Sequence, residues 1–334
     1  MELYLDSADL TEIEEAFHLG FLDGLTTTPT FMHRHGVADI DALILKLAAI
    51  VPILQVEALG QTAEEICAEA HRLLDLGLSA ERTVFKIPVS LQGVKACSQL
   101  RTDGIMVNIH LVYTLQQAYM AMKAGARYVC PLVGRLQDQG HDALGLVRQC
   151  IDAVTTYGYD TKIMFSSVRH VEHVRNAIML GVHTITVPYR VLTQLTENHY
   201  TTVGTDQFLE HTRLLTTTVG EVMSSVNPLV PEDAGLQEAV IHMTEHGFGC
   251  VTIVTADGAV KGLFTDGDLR RLLAKEGRDI LKHRMSDLDY QPPITVERGA
   301  LLDVAADLFH THKVDNLLVL EQGKPVGMLD IQDL

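Results

Sequence analysis

The sequence predicts a closed (β/α)8 barrel followed by a tandem α+β module, on three observations. Short apolar or β-branched runs alternate with amphipathic helical stretches from residue 1 to about residue 200. Eight such runs occur and no G-x-G-x-x-G loop follows the first, which favours barrel closure over an open doubly wound sheet. After Leu215 the rhythm changes and an internal repeat begins. The expected boundaries are therefore 1–214 for the barrel and 215–334 for the module.

The eight strand candidates are Leu3 to Asp6, Gly24 to Thr28, Ile53 to Leu59, Thr83 to Val89, Ile105 to Ile109, Tyr128 to Val133, Lys162 to Val168 and Thr184 to Pro188. Helices between them include Asp9 to Leu19, Val171 to Leu180, and Thr62 to Leu76, where Thr62 and Glu65 form a T-x-x-E capping signal. In the second part, Gly262-Leu263-Phe264-Thr265-Asp266-Gly267-Asp268-Leu269 recurs as Gly327-Met328-Leu329-Asp330-Ile331-Gln332-Asp333-Leu334. Each copy follows an apolar strand and a Gly-containing turn, which implies two small β-α-β-β-α units.

The chain has 334 residues and 47% hydrophobic content, enough for at least one large core. Its formal net charge of -17 repels phosphate backbones and anionic membrane surfaces, and no basic run offsets it, so nucleic acid is not an expected partner. Neither a signal-peptide pattern nor an apolar run of membrane-spanning length appears. Five scattered cysteines without C-x-x-C spacing indicate neither a disulfide framework nor a zinc site. A cytoplasmic protein with free thiols is expected.

Side chains in a barrel alternate in and out, and catalytic groups gather toward the C-terminal strand ends. Lys86 sits in Thr83-Val84-Phe85-Lys86-Ile87-Pro88-Val89, apolar on both faces apart from Thr83. An isolated strand lysine could point outward and snorkel. Here other strands carry Asp6, Thr26, Glu57, Asn108 and Ser167 at comparable depth, and several buried polar groups without a function would destabilise the fold unless mutually hydrogen-bonded. Desolvation disfavours an ammonium, and the neutral amine is the form that attacks a ketone. Asp6 and Glu57 are the carboxylates available to move protons.

Several phrases in order carry a resemblance: Leu3-Tyr4-Leu5-Asp6-Ser7-Ala8-Asp9, Gly24-Leu25-Thr26-Thr27-Thr28-Pro29, Val84-Phe85-Lys86-Ile87-Pro88, Ala124 through Arg135, and Ser166-Ser167-Val168-Arg169. On these, residues 1 to about 214 resemble the small transaldolases and fructose 6-phosphate aldolases. The resemblance implies a barrel in which Lys86 forms a Schiff base with a dihydroxyacetone unit, without a cofactor or a metal. It also implies that Asp6 and Glu57 handle protons, and that Asn108 and Ser167 hold substrate hydroxyls. Arg135 and Arg169 would grip the phosphate of an acceptor such as glyceraldehyde 3-phosphate. Guanidinium pairs with phosphate through two parallel hydrogen bonds, while surface salt bridges to the many carboxylates are the competing reading. The family also implies ring-shaped homo-oligomers, pentamers or decamers, and CBS pairs could add dimerisation.

Three substitutions depart from the family pattern. Thr28 replaces an asparagine that contacts substrate, His110 replaces a threonine that helps hold the catalytic water, and the family's S-P-F is Cys130-Pro131-Leu132. His110 should share the face of Asn108, two residues before it. It is expected either to position or activate the water, or to fill space in a site that has lost its ancestral reaction. The pairs His170 and His173, His33 and His35, and His310 and His312 lack a third ligand by spacing, and His170 with His173 is expected on a solvated helix face.

The repeat resembles CBS domains, which pair and bind adenine nucleotides or related ligands. That resemblance places Thr265, Asp268, Asp330 and Asp333 at ribose-contacting positions, with the adenine nucleotide as a regulatory ligand. Asp266, Asp268, Asp330 and Asp333 could equally be helix caps. The phrase from Gly262 to Arg271 is similar to the CBS pair of arabinose 5-phosphate isomerases.

Three functions follow as expectations. The first is a nucleotide-regulated Schiff-base aldolase or transaldolase acting on ketose phosphates. The second is a variant Lys86-dependent lyase making a pentose or other sugar phosphate for surface polysaccharides. The third is a non-catalytic nucleotide sensor, against which the set Lys86, Asp6 and Glu57 argues.

Overall fold

The computed structural model describes residues 1–34 and 38–334; His35 falls outside the described residues. Two compact units are present, Met1–Glu197 and Asn198–Leu334.

The first unit is an eight-stranded parallel barrel closed in sequence order. Its strands are β1 (Glu2–Asp6), β2 (Gly24–Thr26), β3 (Leu54–Glu57), β4 (Thr83–Pro88), β5 (Met106–Val112), β6 (Tyr128–Pro131), β7 (Lys162–Phe165) and β8 (Thr184–Val187). Closure comes from β1 pairing with β8, with Leu3 opposite Ile185. Outward strand residues such as Leu5, Leu25, Val56, Phe85, Ile87, Ile109, Val129 and Ile185 pack against the surrounding helices in one continuous core. Those helices start where the sequence supplies caps: Thr62 and Glu65 form a reciprocal capping box before Ala63–Asp75, and Asp9 accepts hydrogen bonds from Thr11 and Glu12.

Several strands stop short of their expected ends. The β6 run ends at Pro131 because a six-residue helix, Val133–Asp138, begins immediately after it. The β7 run ends at Phe165, beyond which Ser167 takes φ +59° and turns the chain out of the ladder. Strand β5 instead runs on to Val112, with a register shift between Ile109 and Val112 and Leu111 at φ +57°. That irregularity lies next to His110.

The second unit begins with the helix His199–Thr216, so the boundary drawn from sequence at 214 falls inside this helix. Two similar sheets follow, ordered β11-β10-β9 and β12-β13-β14. Their ranges are β9 Leu229–Pro231, β10 Cys250–Val254, β11 Val260–Thr265, β12 Thr295–Glu297, β13 Asn316–Glu321 and β14 Lys324–Asp330. In each sheet the middle strand pairs parallel with the first and antiparallel with the last. Each copy has its own core, one around Val251, Ile253 and Phe264 and the other around Leu317, Val319 and Leu329. Cys250, Leu318 and Met328 form a further apolar cluster shared by the two copies. Among the described residues no helix is long and apolar enough to cross a membrane.

Candidate active site

Parallel register places the polar strand residues in one layer. Glu57 lies opposite Lys86, Lys86 opposite Asn108, and Pro88 opposite His110, while Asp6 lies opposite Thr26. Side chains that share a strand face repeat every second residue, so Asn108 and His110 both face inward.

Lys86 is 5% exposed and its Nζ faces the interior. It donates to the Thr27 carbonyl oxygen at 3.0 Å and lies 3.0 Å from Glu57 Oε1. The strand context suggested an amine among apolar groups; the structure instead places a carboxylate beside it. The other oxygen of that carboxylate, Oε2, lies 2.9 Å from His110 Nε2, a close contact that is not aligned as a hydrogen bond. Burial works to raise the Glu57 carboxyl, but Lys86 and His110 outweigh it and hold it below the usual carboxylate range. His110 is held below the usual imidazole range by burial first, with the charges of Lys86 and Arg135 adding and Glu57 opposing.

Asp6 differs from Glu57. Its burial raises the carboxyl above the usual range, only partly countered by Lys86 and by the Thr26 hydroxyl, which donates to Asp6 Oδ1 at 2.8 Å. The two carboxyls near Lys86 are thus pushed in opposite directions, Asp6 up and Glu57 down, and so hold protons with different strength. Thr26 Oγ1 also lies 2.5 Å from Thr186 Oγ1. Asn108 Nδ2 donates to Gln55 Oε1 at 2.7 Å, leaving Asn108 Oδ1 buried without a hydrogen-bond partner among the described residues. The buried Cys130 thiol is pushed up to about 11 by desolvation and senses Lys86, Asp6 and Glu57, so it faces the same interior. Thr28 and Glu57 also line a cavity of about 250 Å³ with Pro29, Met32 and Arg72.

The two arginines lie on neighbouring elements. Arg135 is exposed on the helix Val133–Asp138, 3.5 Å from the Tyr113 hydroxyl, and Arg169 donates to Asp138 at 2.7 Å. These elements meet closely: Val133 N donates to Ser166 O at 3.1 Å, and a Cβ at Gly134 would lie 2.0 Å from Ser167 O. Ser167 is half-buried at this junction.

The expectation of a solvated face for His170 and His173 is corrected by the structure. His170 is exposed, but His173 is 2% exposed, because the first turn of its helix packs against Val133–Asp138. Sequence reasoning also missed Gln55 and Thr186. Each stands two residues from another polar strand residue, Glu57 and Thr184, a period-two signal that could have found Gln55 in the layer below Glu57.

In the second unit, Thr265 caps the helix Asp266–Glu276. Asp268 Oδ2 accepts from Thr265 N at 2.9 Å and from Thr265 Oγ1 at 2.7 Å. Asp268 Oδ1 pairs with Arg271. At the matching place in the second copy, Asp330 caps the turn Ile331–Asp333, and Asp333 accepts from Asp330 N at 3.1 Å. All four residues therefore have local capping work, and Asp266 is the first helical residue rather than a cap. Among the described residues, His242, Glu245 and His246 on one helix bring ligand-type atoms within 4.8 Å of one another.

Comparison with known proteins finds the same two parts, with matches that overlap at residues 219–230. The Transaldolase/Fructose-6-phosphate aldolase family matches residues 3–230, and the CBS domain matches residues 219–275 and 279–334. A probable transaldolase of Desulforudis audaxviator is 40% identical over 212 residues, covering 63% of this chain and 96% of that protein. A probable transaldolase of Syntrophobacter fumaroxidans is 37% identical over 214 residues, with 63% and 96% covered. Among solved structures, a CBS domain protein from Pyrobaculum aerophilum complexed with AMP aligns with 22% identity and TM-score 0.33, covering 35% of this chain and 90% of that one. The chain is an enzyme of the transaldolase/fructose-6-phosphate aldolase family that carries a CBS domain pair behind its barrel.

Proposed function

We propose that the protein makes and breaks the C3–C4 bond of ketose phosphates through an imine on Lys86, by transfer or release of a dihydroxyacetone unit. The observation that carries this is the buried Nζ of Lys86, 3.0 Å from Glu57 Oε1 and in the field of a second buried carboxyl, Asp6.

Imine formation needs two protons moved from nitrogen to oxygen. Glu57 takes one from the Lys86 ammonium, and the freed amine adds to the ketone carbon. The second proton passes from the new C–N nitrogen to the former carbonyl oxygen. Glu57 then returns its proton to that oxygen, the C–O bond breaks, and water leaves an iminium ion on Nζ. Asp6, whose raised carboxyl suits proton exchange, takes the C4 hydroxyl proton as the C3–C4 bond breaks, and its electron pair flows into the iminium. Asn108 Oδ1 can accept from a substrate hydroxyl, and Arg135 and Arg169 suit the acceptor's phosphate.

The CBS pair is proposed to bind an adenine nucleotide whose ribose diol meets Asp268 and Asp333. For Asp268 this requires its oxygens to exchange the Thr265 and Arg271 contacts for the ligand.

The test is borohydride reduction in the presence of fructose 6-phosphate or dihydroxyacetone, followed by mass mapping. An adduct on Lys86, lost in Lys86→Met, supports the reading. No adduct with any ketose or ketose phosphate sinks it. Thermal shift with AMP or ATP, absent in Asp268→Ala, tests the regulatory half separately.

A further inference from the structure

His173 has no place in the chemistry just described, yet it is among the most buried polar side chains of the barrel unit, at 2% exposure. It stands in the first turn of the helix Val171–Leu180. Its ring lies edge-on to Phe165, with centroids 6.0 Å apart, and against His170 at 4.0 Å. Both ring nitrogens are engaged. Nδ1 accepts from the Arg169 backbone N–H at 3.2 Å, and Nε2 lies 2.6 Å from Gln137 Oε1.

These partners fix the protonation state. A backbone N–H needs a bare Nδ1, and an amide oxygen can only accept, so the proton sits on Nε2. Only the neutral Nε2–H tautomer satisfies both. Burial first, then the neighbouring His170 and Arg169, push this imidazole down to about 4, so it stays neutral well below pH 7.

The two partners belong to the two elements that carry the arginines. Gln137 is two residues beyond Arg135 on the helix Val133–Asp138, and the other bond is to the backbone of Arg169 itself. The same seam holds the Val133 N to Ser166 O bond and the Arg169 to Asp138 pair at 2.7 Å. We propose that His173 is a positioning residue for phosphate: its neutral ring fixes the spacing between the Arg135 helix and the Arg169 backbone. The two guanidinium groups are thereby held at one separation for a phosphorylated acceptor. The proposal rests on the reading of Arg135 and Arg169 as the anion grip. A bidentate guanidinium gains its strength from fixed geometry, which flexible placement of its backbone forfeits.

The test uses the full chain with His173→Phe, His173→Gln and Gln137→Leu. It measures the dissociation constant for inorganic phosphate by calorimetry, and KM and kcat with glyceraldehyde 3-phosphate against unphosphorylated glyceraldehyde as acceptor. Phenylalanine keeps the ring and loses both bonds. It should weaken phosphate binding and raise KM for the phosphorylated acceptor by about tenfold or more, the loss expected for one hydrogen bond to a charged group. KM for glyceraldehyde and borohydride trapping of dihydroxyacetone on Lys86 should stay unchanged. Glutamine should restore part of the loss. If His173→Phe does not fold, Gln137→Leu, which breaks the bond from the other side, should give the same selective pattern. Equal changes for both acceptors, or no change in phosphate affinity, overturn the proposal. Absence of phosphate binding by the unaltered chain overturns it together with the anion role of the arginines. Absence of trapping instead overturns the Schiff-base reading, while phosphate affinity still decides the role of His173.

Discussion

His110 Nε2 lies 2.9 Å from Glu57 Oε2, on the oxygen that Lys86 leaves free. One carboxylate is thus held from two sides by groups that both favour its ionised form. The departure at position 110 is therefore coupled directly to the carboxylate proposed to carry protons at Lys86.

Replacing His110 should change the pH profile more than imine formation. In His110→Ala, one of the two groups holding Glu57 low is gone, so its carboxyl rises toward the ordinary range. The acid limb of kcat/KM should move to higher pH. Turnover should fall by about 10²-fold, the lower end for an acid–base residue, while trapping on Lys86 persists. Unchanged turnover and an unchanged acid limb would remove His110 from the chemistry.

Glu57→Gln should slow turnover by about 10²–10⁴-fold, because the amide cannot carry the proton between Nζ and the departing oxygen. Its stability effect has a defined sign. A carboxyl whose folded value is depressed contributes stability above its unfolded value and loses it as pH falls through the folded value. The melting temperature of wild type minus that of Glu57→Gln should therefore shrink on acidification below about pH 4, near the ordinary Glu value.

Asp6 has the opposite sign. Burial raises its folded value, so its contribution is favourable below the unfolded value and is lost as pH rises through the folded one. Asp6→Asn, which keeps an oxygen for Thr26, should melt higher than wild type at pH 7 and lose that advantage in acid, while carbon–carbon cleavage drops. A lower melting temperature at pH 7 would contradict this balance.

Gly134→Ala should be destabilising by about 1–3 kcal/mol, the usual cost of overpacking. The added methyl would fall 2.0 Å from Ser167 O and 2.8 Å from Arg169 Nε. Denaturant unfolding gives the first number, and a raised KM confined to phosphorylated acceptors reports the shift of Arg169.

The barrel was legible because the strands are mostly apolar or β-branched runs between helices, most of which carry a side-chain cap, and Lys86, Glu57 and Asn108 sit on adjoining strands. Where strands end was less legible. The left-handed turn at Ser167 and the early start of Val133–Asp138 come from the seam between two loops, which no local pattern encodes. His173 was misread for the same reason. Its helix position is ordinary, and its burial is supplied by Gln137, 36 residues earlier in sequence. The sequence offers Glu57 as a carboxylate available to Lys86, but that it reaches Nζ from the neighbouring strand is not written in the residues flanking Lys86.

Asn108 Oδ1 is buried and has no hydrogen-bond donor among the described residues. On the proposed reading, a ketone that brings a hydroxyl to that depth would supply the donor, whereas a deoxy analogue would not. If Lys86 forms the proposed imine, the layer around it would favour polyols over simple ketones, by rejecting molecules that lack a group rather than those that carry too much.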